Sequence, residues 1–250
     1  MRIAAVSDIH GNLPALEAVL ADIDRLGADV IVNLGDLASG PLWPAETLDR
    51  LIELRLPTIA GNHERQVLTG APDQLGASDA FAAARLTDTH RAWLRALPPT
   101  RWLIDDVLLC HATPTSDLVY WLETVEGGRT RPATPAEIAE RAAGADLAAA
   151  MLVLCGHTHV PRLAQLDGRT LIVNAGSVGL QAYDAPLPSP HVVEHGSPHA
   201  RYAVVERARA GWQVTLRAVA YDWGAAAARA DAGGRPEWAY ALRTGRCLPA

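Results

Sequence analysis

The sequence predicts an α/β fold built on mixed β-sheets, and three observations carry that prediction. Arg2–Val6 and Val30–Leu34 are apolar strand-like runs; Leu13–Leu26 between them sets Leu13, Leu16, Val19, Leu20 and Ile23 at helical spacing; and three later pairs of runs flank turn residues as hairpins. The first two make a β-α-β unit, whose strands pair in parallel, whereas hairpin arms pair antiparallel. One chain therefore contains both senses of pairing.

A second helix is expected at about Pro44–Leu54, a short strand at Pro57–Ala60, and an Ala-rich helix from Ser78 to Leu97. Arg101–Ile104 and Val107–Cys110 flank Asp105-Asp106 as the first hairpin, and Arg162–Leu166 and Arg169–Val173 flank Asp167-Gly168 as the second. Tyr202–Glu206 with Trp212–Val219 makes the third. A helical stretch at about Pro135–Ala150 leads into a strand at Met151–Cys155, and Trp223–Ala232 and Glu237–Arg243 read as one or two helices closing over the sheets. The Pro-rich segment Asp184–His199 has no periodicity and is expected to be a long loop. No linker divides the chain, so one domain over residues 1–250 is expected, with a core at about 1–220 and a helical closure at about 221–245.

Composition narrows the function. With 49% hydrophobic residues the chain can bury a sizeable core, which excludes disorder. The net charge of −6 is scattered, so neither stable nucleic-acid binding nor an anionic membrane is expected. All 22 basic residues are arginine, which excludes a catalytic lysine. Cys110, Cys155 and Cys247 form no C-x-x-C pair and read as inert thiols of a reducing, cytoplasmic setting. No run of apolar residues is long enough to span a membrane, and the chain starts directly on a strand pattern rather than a secretion signal.

The polar chemistry gathers at strand ends. Asp8 and His10 close the first strand, two residues apart and so on one face. Gly35-Asp36 closes the second, Gly61-Asn62-His63-Glu64 follows the third, and Cys110-His111 and Gly156-His157-Thr158-His159 close later ones. A mixed nitrogen and oxygen donor set without thiolate favours Mn²⁺, Fe, Ni²⁺ or Zn²⁺ over a soft metal or an all-oxygen site. Asp8, His10, Asp36, Asn62, His111, His157 and His159 are too many for one ion with an open position, but suit two ions that share a carboxylate. Ser7, Ser39 and Ser177 lack the strand-to-helix elbow of a serine nucleophile. Asn12 either caps the helix at Leu13 or approaches a substrate phosphate. His191-Val192-Val193-Glu194-His195 matches the H-x-x-E-H pattern of a zinc peptidase, but that pattern works on a helix and four Pro or Gly residues bracket it, so it is read as a false match. His191, His195 and His199 could then line a flap over the metals, and His90, in a polar helical stretch, is expected at the surface.

In order, Asp8-Ile9-His10-Gly11-Asn12, Gly35-Asp36, Gly61-Asn62-His63-Glu64, His111-Ala112-Thr113-Pro114, Gly156-His157-Thr158-His159 and Asn174-Ala175-Gly176-Ser177-Val178-Gly179 resemble the motifs of the calcineurin-like metallophosphoesterase superfamily. The likeness is closer to its small, cap-free bacterial and archaeal phosphodiesterases. The resemblance implies a four-layer α-β-β-α sandwich, two mixed β-sheets flanked by helices, with two divalent transition-metal ions at the strand ends, Mn²⁺ first among them. Asp8, His10, Asp36 and His159 would hold one ion and Asp36, Asn62, His111 and His157 the other, with Asp36 as the bridge. His63 would not be a ligand but would contact the phosphate and assist the leaving oxygen. Glu64 stands where Asp is commoner and Ala112 where Gly is commoner. The implied reaction is phosphodiester hydrolysis by in-line attack of a metal-bridging hydroxide. Phosphomonoesterase, nucleotide pyrophosphatase or nuclease action at the same site are the alternatives, and a non-catalytic interaction scaffold is the reading from another class. The expected partner is a small phosphoester, with self-association left open.

Overall fold

The computed structural model describes residues 1–249. In chain order its elements are β1 (Arg2–Val6), α1 (Leu13–Leu26), β2 (Val30–Asn33), α2 (Pro44–Leu54), α3 (Asn62–Thr69), α4 (Ala77–Ala83), α5 (Asp88–Arg95), β3 (Thr100–Ile104) and β4 (Val107–Cys110). There follow β5 (Glu123–Glu126), β6 (Arg129–Pro132), α6 (Pro135–Arg141), β7 (Leu152–Cys155), β8 (Arg162–Leu166) and β9 (Thr170–Asn174). The chain continues through β10 (Ala182–Ala185), β11 (His191–Glu194), β12 (Ala200–Ala208), β13 (Gly211–Val219), α7 (Trp223–Ala232) and α8 (Pro236–Thr244).

The first sheet runs β13-β12-β1-β2, with β1 parallel to β2 and antiparallel to β12. The second runs β3-β4-β7-β9-β8, parallel in its centre and closed at each edge by a hairpin arm. Side-chain alternation decides how they pack. Ile3, Ala5, Val32 and Leu34 of the first sheet meet Val107, Leu109, Leu152, Leu154 and Val173 of the second in one buried cluster. Ala4 and Val6 point the other way, onto Leu16, Val19 and Ile23 of α1. Strands buried on both faces need apolar middles, and Ile3–Val6, Val30–Val32, Val107–Cys110 and Leu152–Cys155 supply them. Asn12 sets where α1 begins: its side chain accepts the Ala15 N–H, and Gly27 at φ 70° ends the helix.

Sheets of mixed sense flanked by helices are present as expected, and the structure adds a third where two were expected. It runs β10-β11-β6-β5, and all four strands were hidden in the sequence. β5 and β6 are polar and lack alternation, and they turn at Gly127-Gly128, both at positive φ, which is the one local signal that could have revealed them. β10 and β11 lie inside the segment expected to be a long loop, so Asp184–His199 is largely a hairpin. β11 also holds His191–Glu194 in extended form, which bears out the rejection of a helical zinc motif there.

Other local differences have equally physical causes. The expected helix from Ser78 to Leu97 breaks into α4 and α5 because Thr87 begins a new helix, its hydroxyl accepting the His90 N–H. That same exchange buries His90, expected at the surface: Nδ1 accepts from the Thr87 N–H and Nε2 lies 2.8 Å from Asp49. Pro57–Ala60 contributes a single parallel bridge, Asn33 to Thr58, rather than a strand, and α6 stops at Arg141. Among the described residues no helix is long and apolar enough to cross a membrane.

Candidate metal centre

Every predicted ligand arrives at one end of the two facing sheets. Asp8 and His10 follow β1 and Asp36 follows β2; His111 follows β4, while His157 and His159 follow β7. Asn62 and His63 open α3. Ligand atoms of Asp8, His10 and His159 lie within 4.8 Å of one another, as do those of Asp36, His111 and His157. Asn62 Oδ1 joins the second group at 3.1 Å from His111 Nε2. Asp36 Oδ2 is also 3.1 Å from His111 Nε2, and its carboxylate is near enough to His10 of the first group to affect its proton affinity.

The backbone is distorted to achieve this. Among the described residues, seven non-glycine positions have positive φ, and five of them are Asp8, His10, Asp36, His157 and His159. Left-handed backbone costs each such residue about 1–2 kcal/mol, so strain is concentrated where donors must turn inward. Two glycines clear the space. A Cβ at Gly61 would collide with the Asp36 carboxylate, and one at Gly156 with Asp8 and the Ser7 hydroxyl.

Glu64, the departure from the commoner Asp, holds this geometry together. Its carboxylate accepts the backbone N–H of Asp36 at 2.8 Å, Leu37 at 2.9 Å and Gly61 at 2.8 Å, and it is buried. Glu64→Ala would orphan three buried donors and is expected to cost at least about 3 kcal/mol in chemical denaturation. Glu64→Gln, which keeps one acceptor oxygen, should recover part of that loss.

The donor set fits divalent cations. His10 Nδ1 donates to Ser39 O at 2.7 Å, His111 Nδ1 to Leu34 O at 2.8 Å and His159 Nδ1 to Leu180 O at 2.8 Å. Each carbonyl engages Nδ1–H and turns Nε2 into the centre. His157 is reversed, with Nε2 donating to Leu118 O at 3.0 Å and Nδ1 left free. His10 and His159 bring their Nε2 atoms to 3.1 Å, a contact between lone pairs that a cation relieves. Asp8 Oδ1 is buried without a hydrogen-bond partner, 3.4 Å from His159 Nε2.

Protons serve in the metal-free chain where cations fit. Burial pushes His10 and His157 down to about 4, leaving them neutral. Burial opposes charge at His111 too, but Asp36 and Asp8 outweigh it and raise the group to about 10. His111 therefore holds a proton at neutral pH that a cation must displace, so metal affinity should climb as pH rises toward about 10. Calorimetric titration of the metal-free protein near pH 8, in buffers of different ionisation enthalpy, should show release of about one proton. Loading with no proton release would remove His111 from the ligand set.

His63 stands beside the two groups, its ring 5.4 Å from that of His10. Its Nδ1 lies 2.8 Å from Asp79 Oδ1 and its Nε2 is 4.0 Å from Asp36 Oδ2, and the side chain is 27% exposed. Burial opposes charge here as well, yet Asp36 and Asp79 together raise His63 to about 9. Asp79 escaped sequence reading because it lies sixteen residues away, in the first turn of α4, where an acid reads as a helix-end residue. Asn12 is engaged on all sides: it caps α1, and its Nδ2 donates to Gly179 O at 2.9 Å and approaches the Tyr221 hydroxyl at 3.1 Å. The structure thus assigns it the cap and leaves no amide group for a phosphate.

Two tyrosines were not foreseen. Tyr120 packs edge-on to His157 at 5.2 Å and Tyr183 to His159 at 4.7 Å, with their hydroxyls 2.8 Å apart. His191 meets the Tyr120 hydroxyl at 3.1 Å, one contact removed from the ligands. His199 instead stacks against Trp223. A cleft of about 1200 Å³ opens from His10, Asp36, His63 and His157 outward between the third sheet and α8.

The profile of the calcineurin-like phosphoesterase superfamily domain matches residues 1–195, and the chain belongs to that family of phosphoester hydrolases. A stretch of 66 residues is 42% identical to an uncharacterized protein of Methanocaldococcus jannaschii, a match spanning 26% of this chain and 27% of that relative. The crystal structure of a metallophosphoesterase from Sphaerobacter thermophilus superposes with a TM-score of 0.74 at 24% identity, covering 98% of this chain and 99% of that one. That of a hypothetical protein from Pyrococcus horikoshii gives 0.73 at 19% identity, with 99% of each chain covered. Both share the fold.

Proposed function

We propose that the chain is a dinuclear-metal-dependent phosphodiesterase, with manganese as the first metal to test. The observation that carries this reading is the division of labour at the site: two donor groups side by side, and an imidazole, His63, held by Asp79 outside both. Asp8, His10 and His159 would hold one cation and Asn62, His111 and His157 the other, with Asp36 shared. Divalent cations held there would supply activation of water and neutralisation of charge on the phosphoryl oxygens. The chain's own part is then proton delivery. Asp79 accepts from His63 Nδ1–H and so orients the ring, leaving Nε2–H to donate to the leaving oxygen as its bond to phosphorus breaks and the bond to the attacking water oxygen forms.

The charge of the cleft favours a diester monoanion over a monoester dianion. Its two arginines are engaged: Arg141 donates to Trp121 O, Glu123 O and the Thr124 hydroxyl, and Arg235 to Glu237 and the Ser78 hydroxyl. Chromogenic diester and monoester should be compared with Mn²⁺ and with chelator near pH 8. Faster, chelator-sensitive diester hydrolysis is expected. Faster monoester hydrolysis would make the chain a phosphatase, and turnover of neither would favour a non-catalytic scaffold.

A further inference from the structure

The cleft beyond the metal centre is apolar where a polyphosphate site would be basic. Among the described residues eleven large hydrophobic side chains are exposed, and four of them, Leu118 at 52%, Val119 at 43%, Leu187 at 75% and Leu248 at 46%, line this cleft. They come from three separate segments of chain, so their meeting is produced by the fold and not by a single greasy loop. Tyr120, Tyr183 and Trp238 continue the same lining inward toward the histidines. An apolar rim of this kind, continuous with a reaction centre, marks a surface that a ligand covers.

The charged groups along the way point to the same ligand. Both cleft arginines are engaged as described, and of the carboxylates away from the centre Glu123 is paired with Arg162 and Glu237 with Arg235, which leaves Asp184. A second phosphate would find no free guanidinium, and the one carboxylate left over, Asp184, would repel it, so its desolvation would go uncompensated. An uncharged apolar arm meets no such penalty and gains from each methylene or ring it buries.

We propose that the preferred substrate is a phosphodiester with a single phosphate and one bulky, uncharged apolar arm, alkyl or aryl, seated among Leu118, Val119, Leu187 and Trp238. This rests on the phosphodiesterase reading above. The metal-loaded full chain should be assayed on methyl and hexyl 4-nitrophenyl phosphodiesters, with bis(4-nitrophenyl) phosphate as the aryl arm and a dinucleoside tetraphosphate as the charged comparison. We expect kcat/KM to rise about tenfold or more from methyl to hexyl, carried by KM, well within the transfer energy of the added methylenes. A larger gain with the aryl diester than with hexyl would assign the arm to a ring, and the reverse to a chain. In Leu187→Asp and Val119→Asp, both surface changes that the fold should tolerate, the hexyl-to-methyl ratio should collapse toward one.

A flat series with every diester turned over, or an unchanged ratio in both variants, would overturn the apolar-arm proposal and leave the phosphodiesterase standing. Faster cleavage of the tetraphosphate would overturn it as well. If no diester is hydrolysed, the underlying activity has failed, and equilibrium binding of hexyl against methyl phosphate still decides the cleft: tighter hexyl binding supports the proposal and equal binding overturns it. A rim buried by a second copy of the chain would show as a dimer in sedimentation with no dependence on chain length, which also overturns it.

Discussion

Asp36→Asn is expected to strip the centre of metal and end turnover while leaving the fold intact. The carboxylate is 2% exposed, its Oδ2 lies 3.1 Å from His111, and its Oδ1 accepts the backbone N–H of His63 at 3.0 Å. Asparagine keeps an oxygen for that N–H, so the start of α3 should survive. What vanishes is the negative charge that both donor groups feel, and with it the ligand that the two proposed cations would share. Metal analysis should fall well below two ions per chain, and kcat by at least about 10²–10³-fold, the scale of losing one preorganised electrostatic partner. In the metal-free variant His111 should also drop from about 10, since Asp36 is the leading cause of its elevation. Near-normal activity with full metal content would refute Asp36 as the shared residue.

His63→Ala should do the opposite to metal and nearly the same to rate. His63 lies outside both donor groups, so metal content should hold. Proton delivery to the leaving oxygen is lost, and kcat should fall by about 10²–10⁴-fold. Esters with good leaving groups, which need no proton, should lose less than poor ones, a pattern that a structural role would not produce. A second readout exists without metal. His63 is raised to about 9, so its pairing with Asp79 and Asp36 stabilises the folded chain fully below its ordinary 6.5, and that stabilisation is lost as pH rises through about 9. The metal-free variant should show a smaller loss than the parent in denaturation measured across that range, His111 supplying what remains. Metal depletion on substitution would show instead that His63 is a ligand.

The sequence reveals the centre better than the walls of the cleft for a reason visible in particular residues. Each donor lies at the end of an apolar run, and short-range pattern finds such runs: Val6 before Asp8, Cys110 before His111 and Cys155 before His157. Hairpins with Asp-Asp or Asp-Gly turns were equally local signals. The third sheet has no such pattern. Glu123–Glu126 and Arg129–Pro132 owe their extended form to pairing with each other and to β11, which is remote in sequence. His63 shows both cases, since its motif is local but the Asp79 that orients it lies on another helix. His90 misled because its polar helical stretch suggested solvent, while its two ring nitrogens are committed to Thr87 and Asp49.

The donors are divided between two sheets, with Asp8, His10 and Asp36 hanging from the first and His111, His157 and His159 from the second. Across that seam His157 N–H already donates to Asp8 Oδ2 at 3.0 Å, and Gly179 N–H to Asp8 O at 3.0 Å. Cations seated there would act as a clasp between the two halves of the sandwich as well as a reaction centre. Occupancy then becomes a term in folding, worth about 4 kcal/mol when free metal exceeds its dissociation constant a thousandfold. Withdrawing such cations would then loosen the sheet ends, exposing first the strained loops whose donors they would hold.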